Sequence, residues 1–147
     1  MSLFQMPGHL IRRLNQISTN VFQRQMKRLG LDLTQVQFAA LHAVFDTPGM
    51  DQAGIAAKIA YDRATIGGVI DRLEQKQLVN RIVSPRDKRA REVRLTEAGN
   101  QLFKEVMPIV QALQVEILSG LSDDERIAFL SLATKAVKQA AADLLAE

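Results

Sequence analysis

One stretch of this chain departs from helical spacing, and it sets the terms for everything around it. Leu78 to Val83 and Glu92 to Leu95 read as short strands flanking the polar run Ser84 to Arg91, a hairpin with Pro85 and Asp87 as turn formers near its tip. On both sides of it apolar residues recur every three or four positions, the spacing of amphipathic helices. The predicted element order is α-α-α-α-β-β-α-α.

The first helix runs from Pro7 to Leu29, with Leu10, Ile11, Leu14, Ile17, Val21 and Phe22 on its apolar side and Gly30 as a stop. Thr34 caps a second, to Asp46, carrying Val36, Phe38, Leu41, Val44 and Phe45; Thr47-Pro48-Gly49 ends it. Asp51 caps a short third helix with Ile55, Ala56 and Ile59. After the tight Tyr61-Asp62 connection, a fourth runs from Arg63 to Gln77 with Ile66, Val69, Ile70 and Leu73 inward. Thr96 caps a long helix to about Ser119, which Pro108 is expected to kink or loosen. Ser122 and Glu125 form a capping box for the last helix, to about Leu145.

At 147 residues the chain fits one domain of roughly 100–200 residues, with no internal repeat or linker. A composition of 47% hydrophobic and 24% charged residues excludes wholesale disorder. The absence of cysteine excludes a disulfide scaffold, a thiol nucleophile and thiolate metal sites. MSLFQMPGHLIRR lacks the apolar run of a secretory signal, and no stretch approaches the roughly 20 apolar residues of a membrane helix. A soluble, cytoplasmic protein without membrane association is expected.

Charge is unevenly placed. Residues 63–94 carry nine basic and four acidic side chains, a net +5, whereas residues 1–62 carry +2 and residues 95–147 carry −4. A basic middle beside a more acidic end suits a surface facing a polyanion, and a solvated face with a chance excess is the alternative.

The local pattern decides between them. Two short helices joined by a tight turn and followed by a basic hairpin form the arrangement of a winged helix-turn-helix, whose second helix enters the DNA major groove. Ala56 supplies the small residue where the two helices cross, and Ile55, Ile59, Tyr61, Ile66 and Val69 supply the faces that meet. Asp62 caps the recognition helix and leaves Arg63, Ala64, Thr65, Gly67 and Gly68 near its exposed start, with Arg72 further along. Free backbone amides there favour phosphate. Arg86, Lys88, Arg89 and Arg91 crowd the hairpin tip, a density that fits either minor-groove insertion or phosphate contact. Asp87 is read as shaping the wing by pairing with Arg89 or Arg91.

These residues resemble the MarR family of winged helix-turn-helix transcriptional regulators. The resemblance is carried by Asp71-Arg72-Leu73-Glu74, Leu78-Val79, Arg81, Pro85-Arg86-Asp87-Lys88-Arg89 and Val93-Arg94-Leu95-Thr96-Glu97-Ala98-Gly99. It implies a mainly α fold with a small β wing, a winged helix-turn-helix plus a helical dimerisation region. Residues 1–147 then form a single domain, with 34–99 as the DNA-binding lobe and 1–33 and 100–147 as dimerisation helices. It further implies an obligate homodimer on a pseudo-palindromic double-stranded operator, usually a repressor released by a small ligand. Leu10, Leu14, Ile109, Leu113, Leu130, Val137 and Leu144 are expected to be buried across the pair.

Two departures from the family pattern stand out. Gln77 replaces the Gly common before the first wing strand, so this helix end is expected to close differently. Gly67-Gly68 stands where polar groove-facing residues are frequent, which leaves close helix packing, close approach to phosphate or readout open, and rests base specificity chiefly on Arg63 and Thr65. Pro7-Gly8-His9-Leu10-Ile11-Arg12-Arg13 is similar to the opening of family members that control aromatic-acid catabolism. A small anionic aromatic effector, an acid or its coenzyme A thioester, is therefore expected, with His9, Arg12, Arg13, Phe38, His42 and Arg63 as candidate contacts. Arg63 at the lobe boundary can serve either ligand or DNA.

An enzyme reading lacks support. His9 and His42 are 33 positions apart, and there is no H-E-x-x-H, phosphate-cradling Gly loop or G-x-S-x-G elbow. No catalytic residue, metal site or cofactor is expected. The rival class is a helical protein-interaction module, for which Ala133, Ala136, Ala140 and Ala141 permit close helix approach.

Overall fold

Helix starts follow local chemistry. The computed structural model describes residues 1–146, apart from the side chains of Leu144 and Leu145. Helix α1 (Pro7–Arg28) opens on a proline whose missing amide is no loss at that position. A short 3₁₀ turn at Leu3–Gln5, which periodicity did not reveal, precedes it. Thr34 caps α2 (Gln35–Asp46): its Oγ1 accepts from the Gln37 amide at 3.2 Å, and Gln37 Oε1 accepts from the Thr34 amide at 3.2 Å. Asp51 caps α3 (Gln52–Lys58), and Asp62 caps α4 (Arg63–Gln75).

Strands β1 (Val79–Val83) and β2 (Arg91–Leu95) pair antiparallel, from Val79 opposite Leu95 to Val83 opposite Arg91. A third segment joins them. Gly49 N–H donates to Val93 O at 3.1 Å and Val93 N–H to Met50 O at 2.9 Å, so the α2–α3 connection lies along β2. Thr96 caps α5 (Glu97–Ile117), which stays helical through Pro108. Lys104 and Pro108 are both exposed, so water can replace the bond the proline removes. The capping box expected at Ser122 and Glu125 opens α6 (Asp123–Ala146).

Helix ends hold the first correction. Helix α4 stops at Gln75, and Gln77 itself takes the left-handed conformation at φ 59°. Leu78 N–H reaches Leu73 O at 3.0 Å and Gln77 N–H reaches Glu74 O at 2.9 Å, the paired bonds of a Schellman closure. The expected difference in closure is therefore absent: Gln77 makes the glycine's turn with a side chain attached. Ala60, at φ 59°, closes α3 the same way, and Gly30 does so for α1.

The core joins the helices to the sheet. Phe22 and Met26 of α1, Leu41 and Val44 of α2, Ile55 of α3, Ile66, Ile70 and Leu73 of α4, Val79, Val93, and Phe103 and Val106 of α5 are buried together. Leu113 belongs here too, buried within one chain. Helix α6 differs. It stands away from the protomer's body, with Ile127, Leu130, Leu132 and Val137 59–69% exposed. Its first turns border a groove of about 600 Å³ that Leu14, Val115, Ile127 and Leu130 help to line. Leu10 and Ile11 of α1 are exposed beside Leu3 and Phe4. The side chain of Leu144 lies outside the described residues. Among the described residues, no helix is long and apolar enough to cross a membrane.

Candidate nucleic-acid interface

The start of α4 is organised by one carboxylate. Asp62 Oδ1 accepts from the Thr65 amide at 2.7 Å and Oδ2 accepts from the Thr65 hydroxyl at 2.7 Å. The Thr65 amide and hydroxyl hold the Asp62 carboxyl below its ordinary pKa. Arg63, Ala64 and Thr65 are exposed around this cap, as is Arg72 further along. A Cβ on Gly67 would meet Gln52 Nε2 at an ordinary 3.4 Å, and one on Gly68 would meet nothing within 4 Å. Intramolecular packing therefore does not require glycine at Gly68. The open, side-chain-free surface there leaves room for another molecule's backbone.

The wing is shaped by two small polar residues. Ser84, buried at the end of β1, accepts through Oγ from the Arg86 and Asp87 amides at 3.2 and 3.3 Å. Asp87 Oδ1 accepts from the Arg89 amide at 2.9 Å and lies 3.5 Å from Arg89 Nε. The wing-shaping part given to Asp87 fits this geometry. Ser84, which sequence reasoning passed over, shares it, and an S-P-x-D turn signal marks it in hindsight.

Arg63, Arg89 and Arg91 converge with Arg81 around a cleft of about 420 Å³ between the start of α4 and the wing, with Asp51 and Gln52 on its floor. Arg86 and Lys88 project from the exposed tip outside this cleft. Arg81 entered the sequence reading as a charge and a motif residue, yet it ties the two elements together. Its guanidinium donates to Asp71 Oδ1 at 2.5 Å, Glu74 Oε1 at 3.0 Å and Gln52 Oε1 at 3.3 Å. Arg81 holds the Glu74 carboxyl below its ordinary range, and Glu74 and Asp71 in turn raise the guanidinium's pKa. Such a bonded arginine fixes the wing against α4 and leaves Arg63 and Arg91, beside the Asp87-paired Arg89, where an outside anion can reach the cleft.

Behind this lobe lies a second concavity of about 390 Å³ among α1, α2 and α5. Phe22, Phe38 and Met107 make it apolar; Ser18, Gln35, Gln111, Gln114 and His42 add polar groups. The Phe38 ring stacks on Phe103 with centroids 5.6 Å apart, and His42 packs on Phe103 at 5.3 Å. Phe38 and His42 both line this cavity. His9 packs edge-on against Phe4, while Arg12 and Arg13 are exposed; these three and Arg63 lie outside the cavity's lining in the single protomer. His42, 3.7 Å from Asp46, is the one titratable side chain among the described lining residues.

Comparison with known proteins agrees with this arrangement. Residues 33–90, which hold α2 to α4 and most of the wing, match the pattern described as the MarR family. The chain is 35% identical over 130 residues to the HTH-type transcriptional repressor NicR of Pseudomonas putida, covering 88% of this chain and 81% of that one. Among solved structures it is similar to BpsR of Bordetella bronchiseptica, described with the mechanism by which 6-hydroxynicotinic acid regulates its DNA binding. The TM-score is 0.85 at 31% identity, over 93% of this chain and 96% of the other. It is also similar to the PcaV transcriptional regulator of Streptomyces coelicolor in complex with its natural ligand, at TM-score 0.81 and 28% identity over 95% and 97%. The capped helix pair, the arginine-lined wing cleft and this similarity along nearly the whole chain have one reading: the chain belongs to the MarR family.

Proposed function

We propose that the protein is a cytoplasmic, sequence-specific transcriptional regulator that binds double-stranded DNA as a homodimer and is released by a small aromatic acid. The observation that carries the DNA reading is the cleft that Arg63, Arg89 and Arg91 line beside a capped α4. Arg63 and Thr65 read bases, and Arg86, Lys88, Arg89 and Arg91 bind phosphate. Gly67, Gly68 and Ala64 let the backbone approach, and Arg72 meets the strand further along. Two copies related by a twofold axis read a pseudo-palindrome with half-sites roughly 34–36 Å apart.

Support for the dimer comes from α6. Among the described residues, Ile127, Leu130 and Val137 stay mostly exposed in their own chain, as does Ile11 of α1, and Leu10 beside it is 40% exposed. A second copy applied to residues 1–33 and 100–147 buries both sets. Light scattering at micromolar concentration is expected to give twice the chain mass, and a stable monomer would end this reading.

The effector reading rests on the aromatic cavity, since a mostly apolar pocket with a few convergent donors suits a flat acid. NicR is a named repressor, and BpsR's DNA binding is regulated by 6-hydroxynicotinic acid. The acid's ring lies on Phe38, its carboxylate meets His42 and the glutamine amides, and His9, Arg12 and Arg13 contribute from the partner copy. A tenfold loss of DNA affinity needs about 1.4 kcal/mol of differential binding, within the range of one charge-assisted contact. Gel shift with genomic fragments tests the first reading. Thermal shift and DNA release with 6-hydroxynicotinate, benzoate, cinnamate and their thioesters test the second. No stabilisation and no release across that panel removes the effector and leaves DNA binding intact.

A further inference from the structure

The first turn of α2 is bonded on two sides. Towards α1, Gln35 Nε2 donates to Ser18 Oγ at 2.7 Å, and Gln35 Oε1 accepts from Thr19 Oγ1 at 3.0 Å. Two residues on, Gln37 is 7% exposed, and its Oε1 accepts from Lys76 Nζ at 2.9 Å while also closing the Thr34 capping box. Lys76 donates as well to the Asp32 carbonyl and lies 3.4 Å from the Asp32 carboxylate. Among the described residues, no other side-chain hydrogen bond or ion pair joins the recognition helix or its C-cap to the α1–α2 junction.

Position gives these bonds meaning. Ser18 and Gln35 line the aromatic cavity. Lys76 is the C-cap of α4, at the opposite end from the residues that face DNA. A 13-residue helix is a rigid lever of about 20 Å, so a small displacement at Lys76 reappears at Arg63 and Thr65. The Lys76 side chain is only 20% exposed, and its ammonium is met by these three acceptors. A ligand group that bonds Ser18 or Gln35 competes with the Gln35–Ser18–Thr19 set. Any shift of the first turn of α2 then carries Gln37, and Lys76 with it.

We propose that Lys76 is a positioning residue that couples occupancy of the cavity to the orientation of the recognition helix. The proposal rests on the reading of the cavity as an effector site, and it names the physical link by which that site reaches DNA. A coupling residue is distinguished from a simple stabilising tie by what its loss changes. Removal of a tie lowers stability alone, whereas removal of a coupling leaves both ligands bound and breaks their mutual influence.

The test compares the full-length wild type with Lys76→Met, which keeps the side chain's length without its charge, and with Lys76→Arg. Three quantities are read: 6-hydroxynicotinic acid affinity by calorimetry, affinity for a wild-type-retained genomic fragment by anisotropy, and the loosening of that fragment by saturating acid. Lys76→Met is expected to bind acid within about twofold of wild type and DNA without acid within about threefold, while loosening falls from about tenfold or more to below about threefold. Lys76→Arg restores most of the loosening. Release of Lys76→Met as complete as that of wild type overturns the coupling, with or without a lower melting temperature. A large loss of DNA affinity without acid overturns it too, since Lys76 would then serve binding itself. A wild type that neither binds the acid nor releases DNA fails at an earlier step: the coupling falls with 6-hydroxynicotinic acid as the effector, and DNA binding without acid stands apart from both.

Discussion

A Cβ placed on Gly99 would stand 1.9 Å from the carbonyl oxygen of Leu78. That carbonyl accepts from the Thr96 amide at 3.0 Å, and the Thr96 hydroxyl donates to Gln77 O at 2.7 Å while accepting from the Gly99 amide at 3.0 Å. The L-T-x-x-G run is thus a clasp between the end of α4 and the start of α5. Gly99→Ala forces the two backbones apart and is expected to destabilise the fold by about 3 kcal/mol. A lower urea midpoint at unchanged slope is the expected reading; an unchanged midpoint would show that the clasp opens freely.

Gln77 and Ala60 both hold left-handed conformations that cost an L-residue about 1–2 kcal/mol. Glycine removes that strain but adds about 0.5–1 kcal/mol of backbone entropy to be lost on folding. Gln77→Gly and Ala60→Gly are each expected to stabilise by about 0.5–1 kcal/mol, seen as a higher melting temperature. A fall at both positions would contradict the strain.

Asp62 gives a pH signature. Its folded pKa lies below the ordinary 3.8, so the folded state favours the ionised carboxyl. The stability it contributes is fully present above 3.8 and is lost as pH falls through the lowered value. Melting temperatures of wild type and Asp62→Ala should differ by a constant amount from pH 7 to pH 5 and converge in acid. A difference that persists unchanged at the lowest pH that still supports folding would show that the cap does not depend on charge.

Gly68 should separate stability from binding. With open space above it, Gly68→Ala gains helix propensity of about 0.8–1.0 kcal/mol and raises the melting temperature. The same methyl group stands between α4 and an approaching DNA backbone, so affinity falls. Equal or tighter DNA binding would place the contact elsewhere.

Arg89 and Arg63 are expected to fail differently. Arg89, with 94% of its side chain exposed, sits where a phosphate can reach it, so Arg89→Ala should lower the slope of log K against log salt by about one for every operator sequence. Arg63→Ala should change which operator variants are preferred. Unchanged affinity and salt slope for Arg89→Ala would remove the wing from the interface.

Helix starts were legible because caps are local: Thr34, Asp51, Asp62, Thr96 and Ser122 each bond an amide three residues on, within reach of a sequence window. The wing's position was legible through its change of period. The links across the chain were not. Gly49 on Val93, Arg81 on Asp71 and Gln52, and Lys76 on Asp32 join residues 10 to 44 positions apart, and no spacing rule connects them. Gln77 misled for a different reason. Propensity says which residue enters a left-handed turn cheaply, whereas the packing of Leu78 against the core and the burial of Val79 behind it favour making the turn whatever residue stands there.

The stand-off of α6 has a consequence for the cell as well as for the fold. In the proposed dimer, where the apolar residues of α6 find cover on a second copy, folding of that helix becomes a bimolecular event, so folded fraction follows the law of mass action. Dilution then melts the protein as heat does. A gene expressed weakly would yield chains that unfold before they meet, and the first detectable repression would come at a threshold of synthesis rather than in proportion to it.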